Sequence, residues 1–133
     1  TAVRVRLTQK DSKRPVIINA RHDFSGNSQW NNAHAVAKAL QLGARDDIGV
    51  CGHKHASGYN VLKHPESGAV LHAIQVASYK IYDRYAKDRG LKDAAISPCV
   101  ATVIDANAKN PEDIVQVFWN PERAVKYLNA LRG

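Results

Sequence analysis

Residues 48–59 read Ile48-Gly49-Val50-Cys51-Gly52-His53-Lys54-His55-Ala56-Ser57-Gly58-Tyr59. The apolar run Ile48 to Cys51 predicts a buried strand, and Gly52 lets the backbone turn directly after it. His53 and His55 stand one residue apart. In an extended segment, residues i and i+2 point the same way, so both imidazoles can converge on one point or on two nearby points. Imidazole suits Zn, Fe, Mn and related ions, and several such ligands usually share a site. Taken by itself, Gly-His-Lys-His reads equally as a surface loop with two solvated histidines.

Upstream of this stretch the pattern repeats. Pro15 to Ala20 carries Val16, Ile17 and Ile18 in a nearly continuous apolar run, which predicts a central strand. His22 follows that strand as directly as His53 follows the next one. Between them, Arg21 to Gln29 is a loop with His22, Asp23, Gly26, Asn27 and Ser28. Asn31 or Asn32 can cap the helix that follows. Its apolar positions, Ala33, Val36, Ala37 and Leu40, recur at helical spacing, and Gly43 ends it. Strands consecutive in sequence usually neighbour one another in space. The carboxyl ends of the two apolar strands then lie side by side, and three histidines gather there. Farther upstream, Ala2 to Thr8 alternates, with Val3, Val5 and Leu7 on one face and Arg4 and Arg6 on the other, as a half-buried strand does.

Downstream, Gly58 to Lys63 and Ala69 to Val76 form a predicted hairpin around His64-Pro65-Glu66-Ser67-Gly68. Ser78 to Gly90 reads as a short helix. Cys99 to Ile104 and Ile114 to Trp119 read as strands, separated by the loop Asp105 to Glu112. Asn120 as N-cap with Pro121 at the first helical position starts a last helix, expected to bury Ala124, Val125, Leu128 and Leu131. Trp30 and Trp119 are expected in a core or an interface, and His34 packed on its helix. His64 and His72 are expected to be hairpin residues without a role. The whole is a mixed α/β chain, whose early strand-loop-helix-strand unit resembles half of a layered sheet with a site at its strand ends.

Composition bounds the possibilities. The 133 residues suit one domain, 1–133, and 44% hydrophobic with 23% charged residues describes a globular chain rather than a disordered one. No apolar run approaches the ~20 residues of a membrane span, and no secretory pattern opens the sequence. Cys51 and Cys99 both sit in strand-like apolar runs, as buried thiols of a reducing, cytoplasmic compartment do. A net charge of +7 suits an anionic partner, although the charges are scattered. The sequence contains no Met and starts at Thr1. It is therefore expected to be trimmed at its initiator or to be a piece of something longer.

The order apolar strand, Arg21-His22-Asp23-Phe24, helix, apolar strand, Gly52-His53-Lys54-His55 resembles the C-terminal half of a calcineurin-like metallophosphoesterase, most of all the phage and prophage versions. In those a His-Asp-Phe-x-Gly-x-Ser segment precedes an Asn-x-x-His helix, here Asn31 to His34. Val76-Ala77-Ser78-Tyr79-Lys80 and Asp83-Arg84-Tyr85-Ala86 are similar too, so the resemblance covers nearly the whole chain. The family assembles its site from five blocks: Asp-x-His, Gly-Asp-x-x-Asp, Gly-Asn-His-Asp/Glu, a lone His, and Gly-His-x-His. The last two are present, as His22 and as His53 with His55. The first three occur nowhere in the sequence.

The resemblance implies a layered αββα sandwich with mixed β-sheets, of which this chain is the C-terminal portion. It implies a cytoplasmic phosphoester hydrolase, in a bacterial host if the protein is phage-encoded. Two divalent metal ions (Mn, Fe, Zn or Ni) would activate water, completed by ligands outside this chain. His22 and His53 would bind one metal and His55 the other, with Asp23 supporting a ligand or capping its loop. An N-terminal half or second polypeptide would carry the absent blocks. Asn27, Ser28 and Asn31 could contact the phosphoester substrate, or serve only as turn and cap residues. Tyr59 and Lys80 belong to the similar segments and could equally face solvent. Two other readings stand beside this one: a non-catalytic assembly subunit with a vestigial or structural metal site, and a nuclease or nucleic-acid-binding module suggested by the basic charge.

Overall fold

The computed structural model describes residues 2–12, 14–24, 30–43, 46–53, 56–65, 67–77 and 99–133. In chain order these form β1 (Ala2–Leu7), β2 (Val16–Arg21), α1 (His34–Leu42), β3 (Ile48–Cys51), β4 (Gly58–Lys63), β5 (Val70–Gln75), β6 (Ala101–Ile104), β7 (Val115–Phe118) and α2 (Pro121–Arg132). The fold is mixed α/β. The expected helix over Ser78 to Gly90 lies outside the described residues.

One sheet has the order β1-β2-β3-β5-β4. Its three inner strands, β2, β3 and β5, run parallel, and the two edge strands, β1 and β4, pair antiparallel. The short apolar run Ile48 to Cys51 is thus the middle strand. β6 and β7 make a separate antiparallel pair.

Alternation along the strands feeds two cores. On β5, Leu71 and Ala73 join Val36, Leu40 and Phe24 under α1, whereas Ile74 joins Val16, Ile48 and Val115 on the opposite face. Gly49 sets how closely α1 approaches. A Cβ there would stand 2.8 Å from a methyl of Val36 and 3.1 Å from one of Leu40.

Two buried carboxylates fix the start of β3. Asp46 accepts from Arg4 (2.7 Å) and Asn19 (3.2 Å), and Asp47 accepts from Arg14 and from the Ile17 N–H (2.8 Å). Both acids are at most 5% exposed, so these bonds tie β3 to β2 and β1 in register.

The helix boundaries follow local chemistry. Asn31 Oδ1 accepts from the Ala33 N–H and its carbonyl from the His34 N–H, which opens α1. The Gly43 N–H donates to the Ala39 carbonyl at its end. Asn120 Oδ1 accepts from the Glu122 N–H at 2.9 Å, with Pro121 at the first helical position. Among the described residues no helix is long and apolar enough to cross a membrane.

Four expectations of burial are corrected. β1 is exposed on both faces, with Val3 at 52%, because α1 packs on β3, β5 and β4 and α2 packs on β6 and β7. In α2 only Ala124 is buried among the four expected residues; Leu128 is half-buried, and Val125 and Leu131 are exposed. At the C-terminal end of α2, Leu128 and Leu131 wall a cleft of about 510 Å³ together with Leu7, Val16 and Val103. His34 points to solvent, since its first-turn position lies opposite the buried Ala35, Val36 and Ala37. Trp30 is 94% exposed rather than buried in a core.

Candidate metal-binding site

Parallel pairing brings the site together. Arg21, Cys51 and Gln75 stand level across β2, β3 and β5 at their carboxyl ends. His22 follows Arg21 directly and His53 follows Cys51 by two residues. Their rings meet edge to face, with centroids 4.6 Å apart and planes at 64°. Both side chains are exposed at the sheet end.

The bend that delivers His53 is strained. Its φ is +62°, a left-handed conformation in which a Cβ crowds the following carbonyl. Such a backbone persists only where its surroundings over-determine it, and the chain three to five residues farther on is held by contacts to β5 and α1. Buried Gln75 donates from Nε2 to the Ala56 carbonyl at 2.9 Å, and its Oε1 lies 3.8 Å from Cys51 Sγ. Asn32 donates from Nδ2 to the Ser57 carbonyl at 2.7 Å. Gly58 sits so close to the start of α1 that a Cβ would lie 2.7 Å from the Ala33 nitrogen. The far end of the histidine loop is thereby bolted to β5 and to α1.

On the β2 side, Phe24 is buried under α1 and anchors the loop. The Arg21 guanidinium lies 5.0 Å above the Phe24 ring centre, a cation–π contact that holds its positive charge at the end of β2. Asp23 accepts from the Phe24 N–H at 2.9 Å, which is loop-capping chemistry. Asn31 serves the opening of α1, as described above. His55, Asn27, Ser28 and Lys80 lie outside the described residues.

A shared ion would set the distance between two histidine rings. With metal–nitrogen bonds of about 2.1 Å, two imidazoles at roughly a right angle on one ion hold their ring centres about 4.5 Å apart. The observed 4.6 Å lies near that spacing and is also the spacing of an ordinary edge-to-face ring contact. Among the described residues no set of three or more His, Cys, Asp or Glu side chains that could hold a metal gathers around a common point.

The sheet interior contains a histidine for which the sequence suggested no role. His72, on β5, is 4% exposed. Its Nδ1 shares a 2.5 Å hydrogen bond with the Tyr59 hydroxyl, and the two rings stack at 5.8 Å. Its Nε2 has no hydrogen-bond partner among the described residues. Burial lowers the His72 pKa, partly offset by the Asp47 carboxylate, and burial raises that of Tyr59. Both groups are therefore neutral at pH 7. Tyr59 thus faces the sheet interior. His64, by contrast, belongs to its turn, accepting from the Ser67 N–H at 3.1 Å.

Reading the sequence overlooked Gln75 and assigned His72 no role. The signal for Gln75 and His72 was a polar side chain inside an otherwise apolar strand, which requires a hydrogen-bond partner. No protein-family model, curated protein or solved structure matches this chain.

Proposed function

We propose that this chain supplies the histidine ligands of a metal-dependent phosphoester hydrolase, as the C-terminal portion of a calcineurin-like sandwich. The observation that carries this reading is the approach of His22 and His53 at the ends of adjacent parallel strands, with a strained loop holding one of them. Neutral imidazoles at these positions would hold a divalent ion, with His55 as a further ligand. Such an ion, when bound, supplies Lewis acidity toward water and phosphate. Arg21, fixed over Phe24, adds positive charge for the phosphate beside the ligands. The family's first three motif blocks have no counterpart in this sequence, so turnover requires a polypeptide that carries them.

The test is calorimetric titration of Mn²⁺ and Zn²⁺ into the chain and into His22→Ala, His53→Ala and His55→Ala. Each substitution should weaken binding at least tenfold. Binding unchanged in both His22→Ala and His53→Ala would refute the site. Robust phosphoester turnover by the pure chain would refute the need for the absent blocks.

The reading as an assembly subunit has one observation in its favour, the uncovered apolar face of β1. Sedimentation of the native material separates the two readings. A metal-free complex joined through β1 supports assembly.

A further inference from the structure

Among the described residues β1 pairs with β2 alone, in a register that runs unbroken from Ala2 to Leu7. All six of its residues are exposed. An edge strand turns unpaired N–H and C=O groups outward, which makes it a template for another strand. Native edges are commonly blunted by Pro or a bulge, and β1 has neither. The edge is also held in place. At the turn after β1, Gln9 Oε1 accepts from the Ala106 N–H at 2.7 Å, and Asn107 Nδ2 donates to the Lys10 carbonyl at 3.0 Å. These bonds tie the β1–β2 turn to the loop between β6 and β7, so an incoming strand meets a preorganised template.

The two faces of β1 differ in chemistry. Val3, Val5 and Leu7 stand level with Ala20, Ile18 and Val16, on the face packed by β6 and β7. They are 52%, 38% and 39% exposed, and Leu7 leads into the cleft walled by Leu128 and Leu131. Arg4 and Arg6 occupy the other face. Arg4 reaches Asp46 yet leaves 59% of its side chain in solvent, and Arg6 has no ion pair among the described residues. Residues directly opposite one another in a ladder share a face. An added strand with aliphatic residues over Val3, Val5 and Leu7 therefore sets its alternate residues against Arg4 and Arg6, where carboxylates fit. A second copy of β1 is a poor occupant. It carries no carboxylate, so it covers the aliphatic row only by bringing arginines against arginines.

We infer that β1 is the docking edge for an extended segment of a partner protein in which acidic and aliphatic residues alternate, added beside β1 as a further strand of the sheet. The inference reaches beyond the histidine site and needs no metal there. The two arginines make the edge selective: they repel a basic strand and favour an acidic one. An opposite-charge pair directly across a ladder is worth roughly 1.5- to 5-fold in affinity, so two give roughly 2- to 25-fold.

The experiment is fluorescence anisotropy on the full chain, in EDTA at about 0.1 M salt, with short labelled peptides. One alternates Glu and Val, one alternates Lys and Val, and one has the first peptide's composition with its Glu and Val in separate blocks. The Glu-Val peptide should bind about tenfold more tightly than either of the others. Arg6→Glu should narrow the preference for Glu-Val over Lys-Val at least fivefold. N-methylation of the Glu residues and N-methylation of the Val residues should act differently, one abolishing binding and the other sparing it, because only one edge of the peptide pairs. Absence of Glu-Val binding overturns the inference, as does equal binding of the block-ordered peptide. A charge preference unchanged in Arg6→Glu, or equal effects of the two methylations, overturns it as well. So does a stable dimer of the chain that the Glu-Val peptide does not displace, which gives the edge to a second copy.

Discussion

Replacing Gly58 by alanine tests whether the histidine loop is held by the bolt between β4 and α1. The added methyl would sit 2.7 Å from the Ala33 nitrogen, 2.8 Å from Asn32 Cβ and 2.9 Å from the Asn32 carbonyl carbon. Two of these are backbone atoms, so no side-chain tip can swing away. Relieving such overlap in a packed site costs about 1–3 kcal/mol. Moving Asn32 also weakens its bond to Ser57, worth roughly 0.5–1.5 kcal/mol. The sum is on the order of 2–4 kcal/mol, a large share of the ~5–15 kcal/mol typical of a domain. With a urea dependence of about 2 kcal/mol per molar, the unfolding midpoint should fall by roughly 1–2 M. Gly52→Ala is the control, because its nearest foreign atom is Val76 Cγ2 at an ordinary 3.8 Å; it should stay within about 0.5 kcal/mol of wild type. Metal affinity should drop in Gly58→Ala well below the denaturation range. If Gly58→Ala unfolds at the wild-type urea concentration, the proposed bolt does not exist.

Three further outcomes are expected. His53→Gly should be about 1 kcal/mol more stable than His53→Ala, because only glycine adopts φ +62° without strain, and both should lose metal; equal stabilities measured by chemical denaturation would remove the strain from the account. Because burial lowers the His72 pKa, the unfolded chain binds more protons than the folded one at mildly acid pH. Stability should therefore hold above about pH 7 and decline as pH falls from about 6.5 toward the folded pKa; a His72→Gln protein with an undiminished slope between pH 7 and 5 would falsify this. Asn120→Ala should cost about 1 kcal/mol by removing the N-cap bond to Glu122, seen as a fall of a few degrees in Tm; an unchanged Tm would mean that α2 does not depend on its cap.

The strands and caps were legible because each carried a local signal. Ile48 to Cys51, the hairpin around His64 to Gly68 and the Asn120-Pro121 helix start all lie where their residue patterns predict them. The meeting of His22 and His53 was also readable, since it needed only two apolar strands in parallel and a histidine after each. What the pattern could not convey was which faces become covered. Val3, Val5 and Leu7 alternate like a buried face, but coverage depends on where α1 and α2 pack, which is a tertiary property. Trp30 is the same case in reverse: its apolarity suggested a core, yet it is 94% exposed. Gln75 and His72 were hidden because their partners, Ala56 and Tyr59, lie 19 and 13 residues away in the chain.

The alternation of β1 has a consequence for solution behaviour. In a two-fold antiparallel pairing of this edge with its own copy, residues directly opposite one another must share a face. Odd positions then meet odd and even meet even, so in the two registers of greatest overlap Arg4 falls opposite Arg4 or Arg6 of the other strand. Like charges directly across a ladder repel. The same strand that displays three aliphatic side chains thus carries its own guard against templated stacking into fibrils. That guard is electrostatic and therefore conditional. As the Debye length shrinks from about 10 Å at 0.1 M salt to about 3 Å at 1 M, the repulsion fades and the aliphatic row remains, so high salt should drive this chain toward self-association.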